Sequence, residues 1–375
     1  MKIQNLATIT TLLSSVLGFS HLANFPEHRS LAGLSPGEVR AVTRQFNSMP
    51  GPQPLPPPIS DTSSKLVNDA AHPFMPDQPG DIRGPCPGLN TLASHGYINR
   101  TGVTTPGEII TAVQDGFNMG WQFASFLTYS VFVTDGNHLT NLMTIGANTT
   151  INGQPTAGMN THGNFEGDAS LTRGDAFFGD NFNFNEKSFD AFSVAANKVG
   201  GGVVNLDAAV LNRAIRINDS IARNPEFSFG TPRFLGGMAE TAYFLAMFVN
   251  NQTADNAKPL TLKDARSFFE FHRFPDGFYR RQGPFIFPLV NSFTRQIIEM
   301  VGRQPGNNNG VNNYVVDTKD PATFCYLYQK QVNLTAALYP NPTPELRTAI
   351  KQNLATYYDD ALGDLTCQQY FPYGQ

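Results

Sequence analysis

Apolar residues recur at helical rather than strand spacing along most of this chain. Thr105-Pro106-Gly107-Glu108 is a capping box with proline at the first helical position, and Ile109, Ile110, Val113 and Phe117 follow it on one face. Leu206, Val210, Leu211, Ile215, Ile217 and Ile221 mark a second helix between Leu206 and Ala222. Thr261-Leu262-Lys263-Asp264 opens a third that runs through Phe268, Phe269 and Phe271. Thr343-Pro344-Glu345 opens a fourth carrying Leu346, Ile350, Leu354 and Tyr357. Tyr129 to Thr134 alone alternates in the manner of a strand, and the same six residues fit the continuation of a helix. Between these segments lie stretches rich in Gly, Asn and Pro, such as 152–163 and 302–313, with no repeat. The pattern predicts a mainly α fold: a single helical domain with long loops and little β structure.

The ends differ from the middle. Lys2 followed by the apolar stretch Leu6 to Phe19 reads as a secretory signal over about residues 1–20, too short to anchor in a membrane. The polar segment after it and the proline run Pro50 to Pro58 read as a propeptide or Pro-rich linker over 21–59, which leaves 60–375 as the folded domain. Acceptor sequons at Asn99, Asn148, Asn218, Asn251 and Asn333 suit a glycosylated, extracellular protein. With net charge −4 and 15% charged residues, the chain carries no electrostatic footprint for nucleic acid. Nor does any apolar run reach the roughly 20 residues of a membrane-spanning helix. Thirty phenylalanines against one tryptophan furnish a core, with enough left over to line an apolar cavity.

Three cysteines leave an odd one in an oxidising compartment. If Cys325 and Cys367 pair, Cys86 remains, bracketed by Pro85 and Pro87 directly ahead of a helix signal. Pro87 suits the first helical position and puts Cys86 at the N-cap, where free N–H groups and the helix dipole favour thiolate. Such a sulfur can be a nucleophile, an axial metal ligand or an inert buried thiol.

Two further constellations carry chemistry. Asn164-Phe165-Glu166-Gly167-Asp168-Ala169-Ser170 presents two carboxylates, a carbonyl and a hydroxyl within five residues. Hard cations such as Mg²⁺ take such oxygens, and an acidic turn in which Asp168 or Ser170 caps the next N–H groups uses the same residues. Glu240 is the one acid in an apolar stretch, with Arg233 two helical turns earlier. Apolar surroundings raise a carboxyl pKa and an adjacent guanidinium lowers it, a balance that suits either a proton shuttle near neutral pH or a structural ion pair.

In order and spacing these features resemble the fungal unspecific peroxygenases, secreted haem-thiolate enzymes related to chloroperoxidase. The likeness extends over about Lys65 to Gln375 and is densest in GDIRGPCPGLNTLASHGY and FEGDASLTRGDAFFG. It looks like the long branch of that family, which carries the arginine. The resemblance implies haem b with Cys86 as axial iron ligand, and Mg²⁺ on Glu166, the Gly167 carbonyl and Ser170 beside a haem propionate. It further implies Glu240 as distal acid–base with Arg233 as partner, and a Cys325–Cys367 disulfide. Peroxide would then donate one oxygen atom to small apolar or aromatic substrates, with one-electron and halide oxidation as side activities. Chloroperoxidase has Glu-His-Asp at the acid cluster and no matching arginine, so Gly167 and Arg233 point to the peroxygenase side. Met119, Leu235, Gly236, Gly237 and Tyr243 stand in or near the distal region, which the family often lines with phenylalanine. The rival readings are a halogenating peroxidase and a non-catalytic secreted haem- or lipid-binding protein; no protein partner is implied.

Overall fold

Local capping chemistry sets most helix starts. A computed structural model describes residues 51–149, 156–250, 259–363 and 365–374 of the chain, and among these there are ten α-helices. Helix α1, Pro87–Ser94, begins with Cys86 as N-cap and Pro87 in the first turn. The Thr105 capping box opens α2, Pro106–Phe117, with both reciprocal hydrogen bonds made. Next comes α3, Trp121–Asp135, so the ambiguous Tyr129–Thr134 segment is helical. The side chain of Asn185 caps α4, Glu186–Val199, and that of Asn205 caps α5, Leu206–Arg223. Helix α6, Thr231–Met247, carries both Arg233 and Glu240. Thr261 caps α7, Leu262–Phe269; Phe271, read from the sequence as part of this helix, lies beyond its end and is exposed. Helices α8, Phe287–Val301, α9, Phe324–Leu338, and α10, Pro344–Thr356, complete the set, and a short π-turn, Tyr357–Ala361, follows α10.

Strands are short and antiparallel. Val103–Thr104 pairs with Met143–Thr144, and Val203–Val204 with Leu260–Thr261. Ser228–Phe229, Gly306–Asn308 and Tyr314–Val316 form a three-stranded ribbon, part of which occupies the loop expected at 302–313. Helix α3 packs on α2 and α9, α4 on α5, and α6 on α8, so α6 ends up between the two halves of the helical body. No helix among the described residues is long and apolar enough to cross a membrane.

Phenylalanine fills the core around the start of α1. Phe248 stacks on Phe268 at 4.2 Å, and Phe117, Phe269, Phe274 and Phe278 join the same cluster. Each ring brings a large apolar area and a preferred edge or stacked geometry, which makes the cluster a rigid base. The proline run joins this body: Leu55 packs against the core, the Trp121 indole N–H donates to the Pro56 carbonyl at 2.7 Å, and the Ile59 amide donates to Gln114. Residues 55–59, read from the sequence as linker, are therefore laid on the domain. The signal segment lies outside the described residues.

Candidate active site

The turn before α1 is held from both sides. Asn90, one turn into the helix, accepts from the Gly84 amide at 3.0 Å and donates to the Gly84 carbonyl at 2.9 Å. Gly84 itself lies so close to the neighbouring chain that an added Cβ would fall 1.9 Å from the Ile145 carbonyl oxygen. Pro85 and Pro87 fix the backbone on either side of Cys86, and the sulfur is presented to a cavity of about 240 Å³. Burial pushes the Cys86 thiol pKa up, against the opposing pull of the Leu89 and Gly88 amides. The helix N-terminus acts on the sulfur through those two amides as the sequence suggested, and desolvation is the larger effect.

The same cavity is lined by Glu166, Gly167, Ser170, Arg233 and Glu240, so the structure brings every expected site residue to one place. Its remaining walls are apolar, among them Ile109, Val113, Phe117, Leu171, Phe244, Met247 and Phe248. A second cavity, of about 210 Å³, shares Glu166, Gly167, Arg233, Glu240 and Tyr243 and extends past Leu235, Gly236, Phe324 and Leu327.

Glu240 is held by two guanidinium groups. Arg233 Nη1 donates to Oε1 at 2.6 Å, and Arg213 Nη2 donates to Oε2 at 3.3 Å. Burial would raise the carboxyl pKa, but Arg233 and then Arg213 overcome it and hold the group below the usual glutamate range. The sequence reading weighed burial against one guanidinium; the structure adds a second, and with both the net effect is a lowered carboxyl pKa. Arg213 is fully buried on α5 and was missed by sequence reasoning. Burial pushes its own pKa down to about 10, with Glu240 pulling the other way, so it stays charged at neutral pH.

At the acid cluster the two carboxylates separate in role. Asp168 is buried and structural, accepting from the amides of Ala176 and Ser228 and from Asn224 Nδ2. Burial, with Asp175 next, raises its pKa. Glu166 Oε2 instead accepts from Asn181 Nδ2 at 2.6 Å and meets His162 Nδ1 at 3.0 Å. A Cβ on Gly167 would sit 2.6 Å from Arg233 Cδ, so glycine is what lets this strip of backbone approach the arginine. Among the described residues no three His, Cys, Asp or Glu side chains converge as a metal cage. A cation on Glu166, Gly167 and Ser170 would therefore need a further ligand from a bound molecule.

Arg173 is the other residue the sequence did not single out. It is buried, its Nη1 donates to the Phe269 carbonyl at 3.0 Å and to Thr172, and its Nε and Nη2 have no acceptor. Burial pushes its pKa down to about 10, and Cys86 is the leading acidic group that opposes this. A buried cation without a counter-ion is costly.

The disulfide Cys325–Cys367 is formed, with the Cα atoms 5.3 Å apart, and Cys86 is the free cysteine among the described residues. Asn99, Asn148, Asn218 and Asn333 are exposed; Asn251 lies outside the described residues.

Comparison with known proteins agrees with this geometry. Residues 72–283, which include Cys86, Glu166, Gly167, Ser170, Arg173, Arg213, Arg233 and Glu240, match the model of the family described as Peroxidase, family 2. An aromatic peroxygenase of Cyclocybe aegerita is 46% identical over 97% of this chain and 98% of its own length. An aromatic peroxygenase of Coprinellus radians is 48% identical over 61% of this chain and 90% of its own. The aromatic peroxidase fscJ of Fusarium equiseti is 31% identical over 66% of this chain and 64% of its own. With the family model spanning more than half of its length and a near full-length relative beside it, this chain belongs to peroxidase family 2.

Proposed function

We propose that this chain is a secreted haem-thiolate peroxygenase that moves one oxygen atom from hydrogen peroxide into C–H bonds and into aromatic or olefinic substrates. One-electron peroxidase and halide oxidation accompany it as side reactions. The observation that carries the reading is a single apolar cavity that holds both the Cys86 sulfur and a carboxylate clamped by two arginines.

The donor set fits haem. Cys86 is the one thiol in the cavity wall and no histidine lines it, its other sulfurs being the thioethers of Met119, Met143, Met159 and Met247. The walls suit a flat apolar macrocycle, and a thiolate at Cys86 would offset charge on the unpartnered Arg173 donors. Cys86 would hold the iron; Glu166 Oε1, the Gly167 carbonyl and the Ser170 hydroxyl would hold Mg²⁺ at the edge of the same cavity, with a propionate completing its shell. When bound, thiolate-ligated haem supplies the iron chemistry that breaks the O–O bond heterolytically.

The rest falls to the protein. Glu240, a carboxylate at neutral pH, takes a proton from one peroxide oxygen and gives it to the departing one, so one water leaves for each oxygen atom inserted. Arg233 and Arg213 hold its two oxygens in one orientation and offset negative charge as the bond polarises. The apolar walls exclude water and accept an apolar substrate. The Cys325–Cys367 disulfide and four exposed sequon asparagines support the extracellular setting.

The test is turnover of naphthalene by the haem-loaded enzyme with ¹⁸O-labelled hydrogen peroxide, followed by mass spectrometry. Label in a hydroxylated product is expected. Unlabelled coupled products, or chlorinated ones when chloride is supplied, would replace the reading with a radical or halogenating peroxidase. No product at all would return it to a haem- or lipid-binding protein.

A further inference from the structure

Helix α6 contains two adjacent glycines in its interior, each of which weakens a helix relative to alanine. For Gly237 the packing supplies a reason. A Cβ there would lie 3.2 Å from Phe229 Cε2, 3.3 Å from Phe229 Cζ and 3.5 Å from Arg213 Nη1. For Gly236 the protein supplies none: an added Cβ would meet no neighbouring atom within 4 Å, and its φ is not positive. Neither backbone conformation nor the surrounding side chains demand a glycine at this position.

Gly236 lies three residues after Arg233 and four before Glu240, which puts all three on one face of α6. All three line the second cavity, together with Leu127, Phe165, Tyr243 and Phe324. The volume left by the missing side chain therefore opens, next to the carboxylate that handles the peroxide proton, into a space lined by these largely apolar side chains and by the polar His162, Asn164, Ser228 and Gln331. A residue that costs helix stability and relieves no clash within the protein makes room for something that is not protein.

We infer that Gly236 is a specificity-determining residue, whose missing side chain admits the bulk of a fused-ring or branched apolar substrate beside Glu240. The inference rests on the peroxygenase reading for the identity of the reaction, but not for the existence of the space. Leu235 and Tyr243, the bulkier neighbours on α6, bound that space along the helix.

The experiment compares haem-loaded wild type, Gly236→Ala, Gly236→Leu and, as a control, Gly237→Ala. Two probes are used, toluene with one ring and anthracene with three. The kcat/KM ratio of anthracene to toluene is measured with peroxide, and anthracene binding is measured without peroxide by quenching of its fluorescence. Gly236→Leu is expected to lower the ratio by about 100-fold and to weaken anthracene binding in parallel, as excluding several carbon atoms from a fitted pocket does. Gly236→Ala should fall between it and wild type while raising the melting temperature by about 1–3 °C, the effect of a better helix former. Gly237→Ala should lower the melting temperature and leave the ratio where it is. An unchanged ratio and unchanged anthracene binding in both Gly236 variants would overturn the inference, as would an equal shift in the Gly237 variant. If Gly236→Leu does not fold, the graded response of the alanine variant decides. If wild type binds anthracene but transfers no oxygen, the peroxygenase reading fails while the binding comparison still reads the space.

Discussion

The glutamate proposed as proton acceptor, Glu240, has its carboxyl pKa lowered by two arginines against the opposing effect of burial. Arg233 was legible because it shares a helix with Glu240 at a spacing of two turns. Arg213 was not, because it reaches the carboxylate from α5, and nothing local in the sequence ties the two helices together. A weak cue existed: Arg213 falls among the buried positions Val210, Arg216 and Ile217, where a solvated arginine has no place. Glu240→Gln keeps the shape but replaces one of the two oxygens that accept from Arg233 and Arg213 with an NH₂ donor, and it removes the proton acceptor. Peroxide-dependent kcat/KM should fall by about 10²–10⁴-fold while haem binding is retained. The pH dependence has a definite sign. The folded pKa of Glu240 is depressed below its ordinary 4.5, so the group is ionised at neutral pH and is protonated only as the pH falls through that lower value. Both proton acceptance and the ion pair's share of stability are present above the unfolded pKa and are lost on that descent. Arg213→Gln removes one of the two charges that hold the pKa down, so the acid limb of the kcat/KM profile should move to higher pH. A limb that stays in place would take Arg213 out of the electrostatics of the site.

Among the elements, short-range signals were the readable ones. Pro87 at the start of α1, the Thr105 capping box and the Thr343 start of α10 each depend on residues within four positions, and each stands where the sequence put it. Helix α3 resisted because 12 of its 15 residues are buried, so its apolar pattern has no single face and the period carries no information. The turn that presents Cys86 was half legible. Its prolines are visible in sequence, but the Asn90 clamp on Gly84 and the approach of Ile145 depend on how distant segments meet. Asn90→Leu fills a similar volume while leaving the buried Gly84 N–H and carbonyl without partners. It should cost about 1–3 kcal/mol, seen as a lower melting temperature. It should also speed transfer of haem to an acceptor protein, because Cys86 is two residues from the clamped glycine. Loss of stability with unchanged haem transfer would show that the prolines alone hold the sulfur.

At the scale of the molecule, the cavities are built by segments up to α9 and backed by the C-terminal segment that follows it. Cavity-lining residues come from 85 to 331, and none from α10 onward. What the C-terminal part does is brace α3 and α9. Tyr357 meets Ser130 Oγ at 2.6 Å inside the core, the Tyr328 ring packs on Tyr357 and Tyr370, and Tyr373 donates to the Tyr339 carbonyl at 2.7 Å. The Cys325–Cys367 bond ties this brace to α9 across a sequence separation of 42. Closing a loop of that length removes chain entropy from the unfolded state worth about 4 kcal/mol at 25 °C on the chain-entropy model. Cys325→Ser with Cys367→Ser should accordingly lower the unfolding free energy of the haem-loaded enzyme by an amount that approaches this figure, read as a lower denaturant midpoint. Both cysteines lie outside the cavity wall, so kcat/KM at 25 °C should be that of the wild type. The two measurements together separate roles that sequence proximity cannot. A drop in midpoint with intact kcat/KM makes the C-terminal layer a stabilising brace. A drop in kcat/KM at full haem loading would mean that the brace sets the position of α3, whose Ala124, Leu127, Thr128 and Val131 form part of the cavity wall.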